Sequence, residues 1–139
     1  MQSKTKPLME REERIAAVNA LIVTIGSYDR KFLSSHSDNW RTDRPLVYSR
    51  FELRSGRLWY IDKYKEVPIY MHNRPTHNWR FSDGGTLWWL ICEFRDFILD
   101  GGKKDRSSIF LAANDNYWGY RKESAEIIFA KAREVGFLN

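Results

Sequence analysis

Between Leu8 and Ile25 the apolar positions Leu8, Ile15, Val18, Leu21, Ile22 and Ile25 fall at steps of three, four and seven, behind an opening of Glu10, Arg11, Glu12 and Arg14. A helix turns once every 3.6 residues, so this spacing lines one face and predicts an amphipathic helix that Gly26 stops. Residues 27–45, rich in Ser, Asp and Arg and closed by Pro45, hold neither helical nor strand period and are expected to form a loop. At Leu46 the period becomes two. Val47, Ser49, Phe51 and Leu53 alternate with Tyr48, Arg50, Glu52 and Arg54. Past a Ser55-Gly56 turn, Leu58 and Tyr60 alternate with Trp59 and Ile61. A break at Tyr64 to Glu66 precedes Val67, Ile69 and Met71 against Pro68, Tyr70 and His72. The pattern predicts a three-stranded antiparallel meander. Pro68 has no main-chain donor, which places its strand at an edge.

Asn73 to Trp79 reads as a second loop. Leu87, Leu90, Ile91, Phe94, Phe97 and Ile98 then form the clearest helical stripe, entered through Ser82-Asp83-Gly84-Gly85-Thr86 and ended by Gly101-Gly102. A short apolar run, Ile109 to Ala113, offers a fourth strand. Ala125, Ile128, Ala132 and Val135 predict a closing helix over about Arg121 to Val135, with Gly136 past its end. The order α-βββ-α-(β)-α implies an α+β fold, three to four antiparallel strands with helices packed on one face. A chain of 139 residues suits one globular domain spanning 1–139, with the polar residues 1–7 expected to fray.

Charge changes this picture because of where it sits. The net +5 is concentrated between Trp40 and Phe81, where nine basic residues face four acidic ones among nine aromatic rings. Cations neutralise phosphate and flat rings stack on bases, so the mixture points to nucleic acid. Period-two geometry puts Tyr48, Arg50, Arg54, Arg57, Trp59, Lys63, Tyr70 and His72 together on the sheet face away from the helices. The bland alternative is a covered second face, with Trp59 and Tyr70 as core and the arginines as a solvated rim. Gly84, Gly85 and Thr86 offer main-chain N–H groups at a helix entry with Arg80 upstream, a place for a phosphate, though ordinary capping accounts for the same residues. Neither glycine-rich nucleotide-binding signature is present.

Other chemistry is thinly supported. His72 and His77 lack a third ligand of zinc type, so no metal or other cofactor is expected. Cys92 lies beside the apolar stripe of its helix and reads as a buried thiol; its being the single cysteine favours a reducing, cytoplasmic compartment. No signal-like apolar run opens the chain, and no nucleophile elbow is found, so catalysis is not expected. Trp89 falls off its helix's stripe on the side of Glu93 and Asp96. Packing economy favours its being covered by Tyr117-Trp118-Gly119-Tyr120; left exposed, Trp89 and Trp118 would be anchors for a protein partner.

The segments F-E-L-x-S-G-R-L-W-Y-I-D-x-Y, I-Y-x-H, W-R-F-S-D-G-G-T-L and the late W-G-Y, with the REERIAAVNALI opening, resemble a group of small uncharacterised proteins carried by bacteriophages and prophages, over roughly residues 10–136. The resemblance carries over no functional residue. It implies a setting: an accessory protein made in the host bacterial cell, where nucleic-acid-binding regulators and counter-defence inhibitors of anti-CRISPR or anti-restriction type are common. Mimicry of DNA demands a strongly acidic surface, and this chain is basic. Three functions are therefore carried forward: a binding protein that engages nucleic acid or a nucleic-acid-containing host complex, an inhibitor that grips a host defence enzyme directly, and a trap for a nucleotide signal between the sheet and Gly84-Gly85.

Overall fold

Helix α1, Arg11–Ile25, starts where the sequence can satisfy its first main-chain donors. The Glu10 carboxylate accepts from the main chain at Glu13, and Glu13 Oε1 accepts the Glu10 N–H at 2.9 Å, a reciprocal capping box. The computed structural model describes residues 10–36, 43, 45–63, 67–72, 85–101, 104, 109 and 117–138. Residues 1–7, the 73–79 loop and positions 110–113 of the expected fourth strand lie outside the described residues. At its other end α1 stops at Gly26, whose main-chain N–H donates to Ile22 O at 2.8 Å. A Cβ there would stand 2.9 Å from Ser34 Cβ and 3.0 Å from the Tyr48 ring, so only glycine lets this helix end meet the neighbouring strands so closely.

Those strands correct the expected 27–45 loop. Ser34–His36 forms β1 and Leu46–Tyr48 forms β2, an antiparallel pair with Ser34 opposite Tyr48 and His36 opposite Leu46. The single strand expected from Leu46 to Arg54 therefore breaks at Ser49. The Ser49 N–H donates to Leu33 O at 2.9 Å, and its buried hydroxyl accepts the Lys63 N–H at 3.1 Å. Both bonds are to distant residues, which is why the alternation in sequence runs through the break unmarked.

Past Ser49 the expected meander is found. Strands β3 (Arg50–Arg54), β4 (Arg57–Asp62) and β5 (Val67–Tyr70) pair antiparallel in the order β3-β4-β5, with Pro68 in the strand at one side. Ser55 (φ 52°) and Gly56 (φ 76°) are both left-handed, the backbone of a two-residue hairpin turn whose twist matches that of the strands. Phe51, Tyr60 and Ile69 lie in one cross-strand row and are buried. The other side of β3 meets α1: Asn19 Nδ2 donates to Phe51 O at 2.9 Å, and Asn19 Oδ1 accepts the Phe51 N–H at 2.8 Å. One side-chain amide thus completes main-chain pairing that another strand would otherwise supply.

Helix α2, Gly85–Asp100, buries all six residues of its predicted stripe, together with Trp88 and the free Cys92. Arg14 Nε of α1 donates to Ile98 O at 2.8 Å, a cation on a carbonyl of the last turn. Arg95 donates to Met71 O and pairs with Asp96 at 2.6 Å, tying α2 to the residue after β5. Helix α3, Lys122–Glu134, packs through Ser124, Ala125, Ile128, Phe129 and Ala132. Val135, expected in that stripe, is only half-buried and caps the helix, while the fully buried Phe129 was not anticipated.

The turn before α3 joins distant parts of the chain. Trp118 (φ 56°) and Gly119 (φ 89°) are both left-handed, and the Tyr120 N–H closes on Tyr117 O at 2.9 Å. Asp29 accepts the Arg121 N–H at 2.7 Å, and that bond holds its carboxyl below the ordinary 3.8. The Tyr120 hydroxyl donates to Ile25 O and accepts the Phe32 N–H at 3.0 Å; burial drives its phenol well above the usual range. Buried apolar residues from all three helices and from β3–β5 form one cluster, in which the Phe94 ring meets Phe137 edge-on at 5.1 Å and Phe51 at 6.5 Å.

Candidate functional site

Strand register decides which expected surface residues share a face. Arg54 stands opposite Arg57, Glu52 opposite Trp59 and Arg50 opposite Ile61, while Trp59 faces Tyr70 and Ile61 faces Pro68 on the other side of β4. Residues directly opposite project to the same side, so Arg50, Arg54, Arg57, Trp59 and Tyr70 lie together as expected. His72 continues the row two residues past Tyr70, their rings 5.4 Å apart.

Two expected members do not belong. Tyr48 sits in β2, half-buried, its hydroxyl 3.0 Å from that of Ser27, because the chain changes sheets at Ser49. Lys63 has the right parity but is buried at 6% exposure, and Ile61 on the same side is fully buried. The face is therefore covered over Ile61 and Lys63, although the Arg50 side chain opposite Ile61 keeps 39% exposure, and it is most open at the Ser55-Gly56 turn, where residues 54–57 are all exposed.

Within the open part the rings make a short row. Trp59 and Tyr70 are half-buried, with centroids 5.1 Å apart and planes inclined at 60°; Tyr70 and His72 are inclined at 41°. His72 is more than a ring here. Its Nε2 accepts the Leu58 N–H at 2.8 Å; the Met71 N–H still donates to Leu58 O at 3.1 Å, but the Met71 carbonyl accepts from Arg95. Burial, and then the charges of Arg57, Arg11 and Arg95, hold the imidazole pKa below 6.5, so the acceptor form is the one kept.

Electrostatically the face is less positive than its arginine count. Glu52, which the alternation places on this side but which the expected surface left out, pairs with Arg54 and, at 3.3 Å, with Arg50. The Arg54 bond, and then the two guanidinium charges, hold its carboxyl below 4.5. Arg57 makes no ion pair among the described residues. The net cation density thus gathers at the hairpin tip rather than along the whole face.

The second expected phosphate site is barely visible. Arg80 and Gly84 lie outside the described residues, as does His77, while Gly85 and Thr86 open α2. Trp89 is 37% exposed, so it is not buried as expected; the 117–121 turn bonds to Ile25, Phe32 and Asp29. Trp118 is half-buried and packs against the core. Among the described residues no three His, Cys, Asp or Glu are placed to hold a metal ion, and no helix is long and apolar enough to cross a membrane.

Comparison with known proteins agrees with the resemblance carried by the motifs. The sequence profile of one family, YoqU, matches residues 9–139. The chain is 30% identical over 134 residues to the SPbeta prophage-derived uncharacterized protein YoqU of Bacillus subtilis (strain 168), covering 95% of this chain and 88% of that protein. No solved structure matches the chain.

Proposed function

Because this chain belongs to the YoqU family, with a prophage-derived protein among its relatives, we propose that it is a phage-type accessory binding protein that engages nucleic acid, or a nucleic-acid-containing host complex, through the open end of the β3–β4–β5 face. The observation that carries the reading is the strand register. It aligns Arg54 with Arg57 at an exposed tip and sets Trp59 beside Tyr70 in the next row. Guanidinium groups there can neutralise phosphates while the neighbouring rings offer flat surface to bases.

Salt tests it directly. With one or two phosphate contacts at the tip, log affinity should fall against log salt with a slope of about −1 to −2 between about 50 and about 200 mM. The double variant Arg54→Glu/Arg57→Glu should lose most of the affinity while keeping its circular dichroism, since both side chains are exposed. Absence of binding by the wild-type protein at the low-salt end sinks the proposal.

A second reading, inhibition of a host defence enzyme by direct protein contact, is favoured by the exposure of Trp89. Interface energy concentrates in a few large aromatic anchors, and a ring of this size left open on a helix is such an anchor. Capture of one host protein in the presence of nuclease, lost in Trp89→Ala and kept in Trp59→Ala, would decide for the inhibitor.

A further inference from the structure

The hairpin tip holds a local conflict. Arg54 and Arg57 are register partners on either side of Ser55-Gly56, and like charges placed directly opposite weaken a strand pair. Glu52 offsets Arg54 but shares its carboxylate with Arg50, and Arg57 has no ion pair among the described residues. An anion between the two guanidinium groups removes the repulsion. One row inward, two residues or about 7 Å along the strands, the Trp59 and Tyr70 rings stand at the same face. One row further Ile61 is fully buried, and of that row Arg50, paired with Glu52, keeps its side chain partly exposed.

This inference rests on the nucleic-acid reading above and narrows it: we infer that the face takes single-stranded nucleic acid, with one phosphate between Arg54 and Arg57 and one or two unstacked bases on the Trp59–Tyr70 row. A duplex keeps its bases stacked inside, so it offers this face only phosphates and leaves the ring row unused. A single strand engages both rows at once. Burial of Ile61 ends the ring row, so the stacking platform is a short stretch, unlike a groove that tracks a long strand.

The experiment is fluorescence anisotropy at low salt with three labelled probes of about 12 nucleotides, oligo-dT, oligo-U and a mixed-sequence DNA duplex. Wild-type protein should prefer the single strands. Trp59→Leu should weaken them by about 5- to 150-fold and leave the duplex unchanged. Tyr70→Leu serves the same purpose if Trp59→Leu does not fold. Preference for oligo-dT over oligo-U, or the reverse, tells DNA from RNA, and either result supports the inference. Equal binding of duplex and single strands, unaffected by loss of the ring, overturns the single-strand assignment and leaves the nucleic-acid reading in place. Binding of no probe overturns both.

Discussion

His72 shows how much one side chain can be asked to do. Its Nε2 is the acceptor for Leu58 N–H, its ring extends the Trp59–Tyr70 row, and Arg57 of β4, Arg11 of α1 and Arg95 of α2 surround it with positive charge. Protonation would replace an acceptor with a second donor facing the Leu58 N–H, among three cations. Burial first, and then those three charges, lower the folded-state pKa, so the unfolded chain binds the proton more readily. The stability this group contributes is fully present above its ordinary value of 6.5 and is lost as pH falls from there through the folded value. Glu52 and Asp29 are held below 4.5 and 3.8, so their losses come at more acidic pH. Denaturant titrations across this range should show a slope below pH 6.5 that His72→Gln flattens, because glutamine offers Leu58 an acceptor without a titrating proton. An unchanged slope in the variant would remove His72 as its cause.

At the scale of elements, the docking of α1 on β3 turns on Asn19. Helix and strand cannot pair through their main chains, since the helix has spent its own groups internally. The Asn19 amide supplies both a donor and an acceptor in the positions a neighbouring strand would offer Phe51. Asn19→Ala should cost about 1–3 kcal/mol, because the Phe51 N–H and C=O lose their partners at a half-buried site. Asn19→Asp should fall between the two, keeping the acceptor while turning the donor into a second oxygen aimed at a carbonyl. Urea midpoints of the three proteins measure this order, and an Ala variant as stable as wild type would show that water replaces the amide at no loss. The predicted α1, α2 and α3 were legible because each depends on a periodic stripe and a local stop signal. The β1–β2 pair was not: β2 was legible only as the start of the alternation from Leu46, and the three residues of β1 are too few to show a period.

For the molecule as a whole, stability rests on the aromatic centre where α2 meets β3 and the chain's end. Phe94 is fully buried between Phe51 and Phe137, and Phe97 also meets Phe137 edge-on at 5.2 Å. Phe94→Ala should cost about 3–5 kcal/mol through lost contacts and an unfilled cavity, which is a large share of the whole stability of a chain this size. Global unfolding monitored by circular dichroism should register it as a large drop in denaturant midpoint. A loss under about 1 kcal/mol would mean that this ring is not in the core.

The sequence by itself determined the helices, the hairpin at Ser55-Gly56 and the side of the sheet on which Arg54, Arg57, Trp59 and Tyr70 stand, because period and turn chemistry are properties of neighbours in the chain. Its motifs also carried the phage and prophage resemblance. Tertiary structure alone decided that the strand breaks at Ser49, that Tyr48 leaves the face, that Ile61 and Lys63 are covered, that Trp89 stays open and that Glu52 is shared between Arg50 and Arg54. Each depends on a partner or a cover supplied from elsewhere in space. Alternation says which residues point the same way; it carries no information about what then arrives to bury or neutralise them.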